Sequence, residues 1–194
     1  KRLEMRLSKL PSSPDLAFGF RSYDEWAQWT DLHTSFKKAA RKIERLRAEA
    51  FPAIPSKVLA QLKLKGCTIP QTYADKKPHN IIRGMFAKKG QLDWAALCST
   101  NGASSILIFW GGPKKCPDEI ANKEDRHQLQ RLASGVEYSR MIGSVGEKEI
   151  LQFHDVFGGP KPPLIDHEGL DDIFLEKASM VYYCEQGEWL KLQG

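Results

Sequence analysis

An α+β fold is expected from this sequence: an N-terminal helical segment, then an antiparallel β-meander body with two further helices and a C-terminal hairpin. Three observations lead there. Apolar residues recur at helical spacing early in the chain, from Trp26 to Ala50. After Gly66 that spacing gives way to short runs rich in β-branched and large apolar residues. Brief Gly-containing turns separate the runs, and short joins make successive strands antiparallel neighbours.

Residues 1–21 hold Pro11, Pro14 and Gly19 and read as an extended arm. Ser22 and Glu25 have the spacing of a capping box, with the Ser22 hydroxyl accepting from a backbone N–H and Glu25 reaching back. The helix opened there carries Trp26, Trp29, Leu32, Phe36, Ala40, Ile43, Leu46 and Ala50 at helical spacing, and Pro52 and Pro55 end it. A second helix over 56–65 turns Val58, Leu59 and Leu62 inward and stops at Gly66. Together they form a helical segment over 22–66, with the β-rich body over 67–194. Strands are expected over 80–87, 93–99 and 104–110, joined by Lys88-Lys89-Gly90 and by Asn101-Gly102. Gly111-Gly112-Pro113-Lys114-Lys115 lacks the residue order of a phosphate loop and reads as a turn. Pro117, Asp118 and Glu119 are residues that favour a helix start, so a helix is expected over 117–133. A strand over 136–142, a helix over 147–157 and a rigid loop over 158–163 follow. A hairpin of 172–183 and 188–192 across Glu185-Gln186-Gly187 completes the chain.

The chain has 194 residues, enough for one core-bearing domain with an extension. Its longest apolar run, Ile106 to Trp110, is far below the roughly 20 residues of a spanning helix, so no membrane span is expected. The first residue is Lys1 rather than a methionine, which leads to the expectation of a segment upstream. Residues 1–66 carry 14 Lys/Arg against 7 Asp/Glu, a net of +7, whereas 67–194 carry 15 against 17, a net of −2. The basic character therefore belongs to the N-terminal third. Lys37, Lys38, Arg41, Lys42, Arg45 and Arg47 are expected on one helix, away from the apolar stripe. With Trp26 and Trp29 they form a candidate docking surface for another protein, and a solvated face is the alternative. No aromatics for base stacking lie among them, which argues against nucleic acid.

Four cysteines, Cys67, Cys98, Cys116 and Cys184, form no Cys-x-x-Cys pair, which argues against zinc. Either they are buried free thiols or they form one or two disulfides, with Cys67–Cys98 as the candidate bridge between strand ends.

Two segments are alike. Gly84-Met85-Phe86-Ala87-Lys88-Lys89-Gly90-Gln91-Leu92-Asp93 and Asp166-His167-Glu168-Gly169-Leu170-Asp171-Asp172 each set a glycine shortly before an aspartate and run into a strand. Both resemble the FG-GAP or VCBS-type β-repeat. The wider stretch, from Gly66-Cys67-Thr68-Ile69-Pro70-Gln71 through Leu107 to the final hairpin, is similar to a family of exported bacterial proteins with no assigned activity. The resemblance implies an extracytoplasmic location, periplasmic or secreted, and an adhesive or scaffold role. It also implies calcium as a cofactor. In the first loop Lys88 and Lys89 replace the family's acids, so that loop is expected to be a structural turn. In the second, Leu164 falls on the first ligand position, and Asp166, Glu168 and Asp172 are the implied metal ligands, bent round Gly169. A solvated acidic turn is the alternative.

The five histidines, His33, His79, His127, His154 and His167, show no paired spacing. His33 is expected packed or half-exposed on the first helix. Acidic neighbours of His167 are expected to raise its pKa. No catalytic residue is singled out, and a Cys–His nucleophile is one arrangement that sequence leaves open. The leading expectation is a non-enzymatic extracytoplasmic binding or scaffold protein. The alternatives are an accessory subunit docking through its N-terminal arm and basic helix, or a hydrolase.

Overall fold

The computed structural model describes residues 23–193, with the side chains of Tyr23, Asp24, Trp26 and Gln193 outside the description. The expected arm over 1–21, Ser22 of the capping box and the Trp26 side chain thus lie outside the described residues. The fold class is the expected α+β mixture, with three α-helices and twelve strands among the described residues. The chain divides into two compact units at Lys38/Ala39 rather than at 66/67.

Among the described residues the first unit holds α1, Tyr23–Ala40, up to Lys38. Within it Trp29 stacks on His33 one turn later, with ring centroids 5.3 Å apart, and His33 is half-buried as expected. Lys37 and Lys38 fall in its last turn, where a cation meets the negative end of the helix dipole. The helix stops ten residues before the expected end. Ile43, Leu46 and Ala50 fit helical spacing, but residues 45–47 form strand β1, paired antiparallel with β2, Thr68–Pro70. Cross-strand pairing overrides the local period here. Strand alternation sends Leu46 into the core, while Arg45 reaches Asp125 at 2.7 Å. The six basic residues are consequently not one helix face.

The second unit is built on a six-stranded sheet, ordered β1, β2, β4 (Asp93–Thr100), β5 (Ala103–Phe109) and β6 (Glu119–Glu124), with β3 (Ile81–Gly84) also paired to β4. The meander of β3, β4 and β5 forms, although β3 covers 81–84 rather than the expected 80–87 and its join to β4 is correspondingly longer. Asn101 and Gly102 join β4 to β5 with φ of 53° and 80°. Both are left-handed, as a two-residue hairpin turn requires. On one face of this sheet, Ile69, Ala96, Cys98, Leu107 and Phe109 meet Val58 and Leu62 of α2, Ser56–Leu64. Ala48 and Phe51, in and after a single 3-10 turn, complete that core.

The expected helix over 117–133 does not form. Its place is taken by β6 (Glu119–Glu124), a 3-10 turn over 125–128 and β7 (Leu129–Leu132). β6 pairs with β5, and Ala121 holds a φ of 55°, which a right-handed helix forbids. The expected strand over 136–142 is two strands, β8 (Gly135–Tyr138) and β9 (Arg140–Val145). They part at buried Ser139, whose backbone bonds to Gln128 and Leu175.

A second sheet runs β12-β11-β10-β9, all antiparallel, with β10 at Gly169–Phe174, β11 at Ala178–Glu185 and β12 at Glu188–Gln193. The hairpin across 185–188 is as expected, although 172–183 spans parts of two strands. Helix α3, Glu147–Phe157, forms over the expected residues. Glu149 reaches back to the Gly146 backbone N–H, 3.2 Å away, and caps the helix. Ile150 and Phe153 pack on Val145, Ile165, Val181 and Tyr183 of the outer face.

Sequence alternation places Arg140 and Asp172 on the inner face, toward the first sheet. Arg140 is fully buried and grips Asp172 in a two-pronged pair, Nε–Oδ1 at 2.8 Å and Nη2–Oδ2 at 3.1 Å. Its remaining N–H groups donate to the carbonyls of Ser104 on β5 and Ala121 on β6. Lys123 adds a third contact to Asp172 at 2.8 Å. The Nη donors to Ser104 and Ala121 thus tie one sheet to the other, while the pair with Asp172 stays within the second sheet; with every donor placed, burying this charge is tolerable.

Candidate functional site

Four connections meet at one end of the second unit: residues 85–92 between β3 and β4, 110–118 between β5 and β6, 164–168 before β10, and the hairpin turn at 185–188. Asp93 organises the first two. It is fully buried at the start of β4, and its Oδ2 accepts from the N–H groups of Phe86 and Ala87 at 3.1 and 3.0 Å. Its Oδ1 accepts from Gly111 N–H and from the Gln91 side-chain amide, both at 2.8 Å. One carboxylate therefore pins two loops through four donors. The loops approach so closely that a Cβ at Gly111 would lie 1.9 Å from the Leu92 carbonyl oxygen. Only glycine fits there.

The two repeat-like segments are tied to each other. Met85 N–H donates to the Glu168 carboxylate at 2.6 Å, and Glu168 N–H donates to the Met85 carbonyl at 3.0 Å. The final hairpin is fastened by the Cys116–Cys184 disulfide and by Trp189 Nε1, which donates to the Pro117 carbonyl at 2.8 Å. Trp189 also stacks on Trp110, with centroids 6.0 Å apart.

His167 lies beneath this end, buried, with its ring edge-on to Tyr183 and Nε2 3.0 Å from the Cys184 carbonyl. That contact calls for a proton on Nε2, which leaves Nδ1 facing Asp166 at 3.3 Å. The expected rise in its pKa does not occur. Burial holds the His167 pKa below its ordinary value, outweighing the upward pull of Asp166. Burial likewise pushes the Tyr183 hydroxyl up to about 12, and that hydroxyl donates to Asp166 Oδ1 at 3.1 Å.

The implied calcium ligands do not converge. Asp172 is locked to Arg140 and Lys123 between the sheets. Glu168 is spent on Met85, and the Asp166 side chain is 70% exposed. Among the described residues no three His, Cys, Asp or Glu side chains are placed to hold a metal ion. The cage fails for a simple reason: Asp172 lies inside a strand, where alternation sends its side chain to the inner face, away from the loop.

All four cysteines are in disulfides, Cys67–Cys98 as expected and Cys116–Cys184 in addition. A Cys–His nucleophile is therefore excluded in this structure. Of the N-terminal docking set, Trp29, Lys37 and Lys38 lie on α1, whereas Arg41 and Lys42 follow it in a turn and Arg45 is half-buried. The sequence reading missed Asp93, Gly111 and Cys116–Cys184 as site builders. The signal was an aspartate opening an apolar strand, opposite a Gly-Gly-Pro that ends the next one.

No protein-family model matches the chain, and neither a curated protein nor a solved structure matches it. No helix among the described residues is long and apolar enough to cross a membrane.

Proposed function

We propose that this chain is a non-enzymatic extracytoplasmic module, a binding or scaffold protein akin to the exported bacterial family it resembles, with the four-loop end as its binding edge. The carrying observation is the pair of disulfides, above all Cys116–Cys184, which joins the connection after β5 to β11 of the other sheet. Such bonds persist in oxidising compartments and are removed in reducing ones. The site's acids support a binding role over catalysis, since Asp93 and Glu168 are consumed in holding backbone.

The test is fractionation of cells that make the protein, with thiols alkylated before lysis. The proposal expects the chain in an extracytoplasmic fraction with no alkylated cysteine. A cytoplasmic chain with four alkylated cysteines would overturn it.

A second reading, an accessory subunit docking through its N-terminal helix, is favoured by the division of the chain at Lys38/Ala39. Removal of residues 1–38 should then leave a folded body that no longer joins its assembly. An unfolded remainder would refute this reading.

A further inference from the structure

Two of the four loops carry an exposed cationic rim that no structural role explains. Lys88 and Lys89 stand at the tip of the 85–92 loop, and Lys114 and Lys115 on the 110–118 loop, all exposed. Asp93 and the Gly111 approach hold these loops side by side, and the Gln91 amide also reaches the Pro113 carbonyl at 3.4 Å. The four lysines therefore form one patch on a fixed support. Among the described residues Lys114 makes one exposed ion pair, with Asp118 at 3.4 Å, and the patch keeps a net positive charge. Apart from Asp118, the acids of the same end, Asp166, Glu168, Glu185 and Glu188, belong to the other two loops.

The second observation is Leu92. It belongs to the 85–92 loop, holds its carbonyl against Gly111 of the 110–118 loop, and is 53% exposed. Exposed lysines and an exposed leucine on the same joined loops match a surface with anionic head groups outside and hydrocarbon beneath. A soluble polyanion would account for the lysines but not for the leucine.

We propose that the 85–92 and 110–118 loops form a tip that docks on an anionic phospholipid surface, the lysines meeting phosphates and Leu92 entering the acyl boundary. This rests on the binding-module reading and names its partner.

The test is co-sedimentation of the full chain, both disulfides intact, with phosphatidylcholine vesicles with and without phosphatidylglycerol at low salt. Binding is expected only with phosphatidylglycerol. The pair Lys88→Gln and Lys114→Gln should lose roughly 30-fold in partitioning, at roughly fivefold per lysine. Leu92→Ser should lose roughly tenfold. Circular dichroism checks that these exposed replacements leave the fold intact. Failure to bind phosphatidylglycerol vesicles overturns the proposal. So does binding that survives in the loop variants, which would assign it to the basic residues near α1. Binding insensitive to Leu92→Ser and displaced by polyphosphate would also overturn it, in favour of a soluble polyanion. A disulfide-intact protein that ignores vesicles leaves the module reading standing, whereas free thiols refute that reading whatever the vesicles do.

Discussion

Replacing Asp171 with Asn should stabilise this protein at neutral pH. Asp171 sits in the middle of β10, only 6% exposed, and among the described residues its Oδ1 meets no hydrogen-bond donor. Burial raises its pKa from 3.8 to about 6, the Ser179 hydroxyl opposes the rise, and the neighbouring Asp172 charge adds to it. A carboxyl whose pKa is higher folded than unfolded binds its proton more tightly in the native state. Its contribution to stability is complete below about pH 4 and is lost as pH rises through about 6. A rise from 3.8 to about 6 corresponds to about 3 kcal/mol at most. Asn keeps the shape and carries no charge, so Asp171→Asn should gain up to that amount at pH 7 and nothing at pH 3.5. Urea unfolding midpoints of both proteins from pH 3.5 to 8 would measure it. A variant no more stable at pH 7, or a difference that does not change with pH, would refute the reasoning.

Other consequences are equally direct. Asp93→Ala should cost at least about 2 kcal/mol, because it leaves the buried backbone N–H groups of Phe86 and Ala87 without an acceptor and frees that of Gly111. Native-state hydrogen exchange should then lose protection at Phe86, Ala87 and Gly111 before the rest of the sheet. For His167, whose pKa burial holds down, nuclear magnetic resonance titration should find the ring titrating below the ordinary histidine value. A histidine lowered in this way contributes stability that is lost as pH falls from about 6.5 through its folded pKa, so the protein should weaken on mild acidification through this group. Thermal melts in calcium and in excess chelator should coincide, since Asp166, Glu168 and Asp172 are committed to different partners. An upward shift in calcium would show a cage these positions do not provide.

The parts of the fold legible in the sequence are those governed by neighbours along the chain. The three-strand meander, the Asn101-Gly102 turn and α3 follow from local period and turn chemistry. What escaped depends on distant partners. Residues 45–47 look helical until Thr68–Pro70 offers a strand to pair with. Asp118 and Glu119 look like a helix start until β5 claims the segment and Ala121 turns left-handed. The same holds for the site. The β-repeat resemblance implies Asp172 as a loop ligand, yet Arg140, 32 residues away in the chain, takes it between the sheets. Cys67–Cys98 could be nominated because both flank strands, whereas Cys116–Cys184 spans 68 residues between sheets whose packing no local pattern reveals.

That second bond carries the account. By loop-closure entropy, disulfides of separation 31 and 68 each contribute about 4 kcal/mol. The most direct measurement is peptide mapping by mass spectrometry of the protein isolated without reductant and digested under conditions that block thiol exchange. Two linked peptide pairs are expected, one joining Cys67 to Cys98 and one joining Cys116 to Cys184, with no unlinked cysteine. Free Cys116 and Cys184, or a different pairing, would contradict both the braced loop end and the extracytoplasmic module built on it.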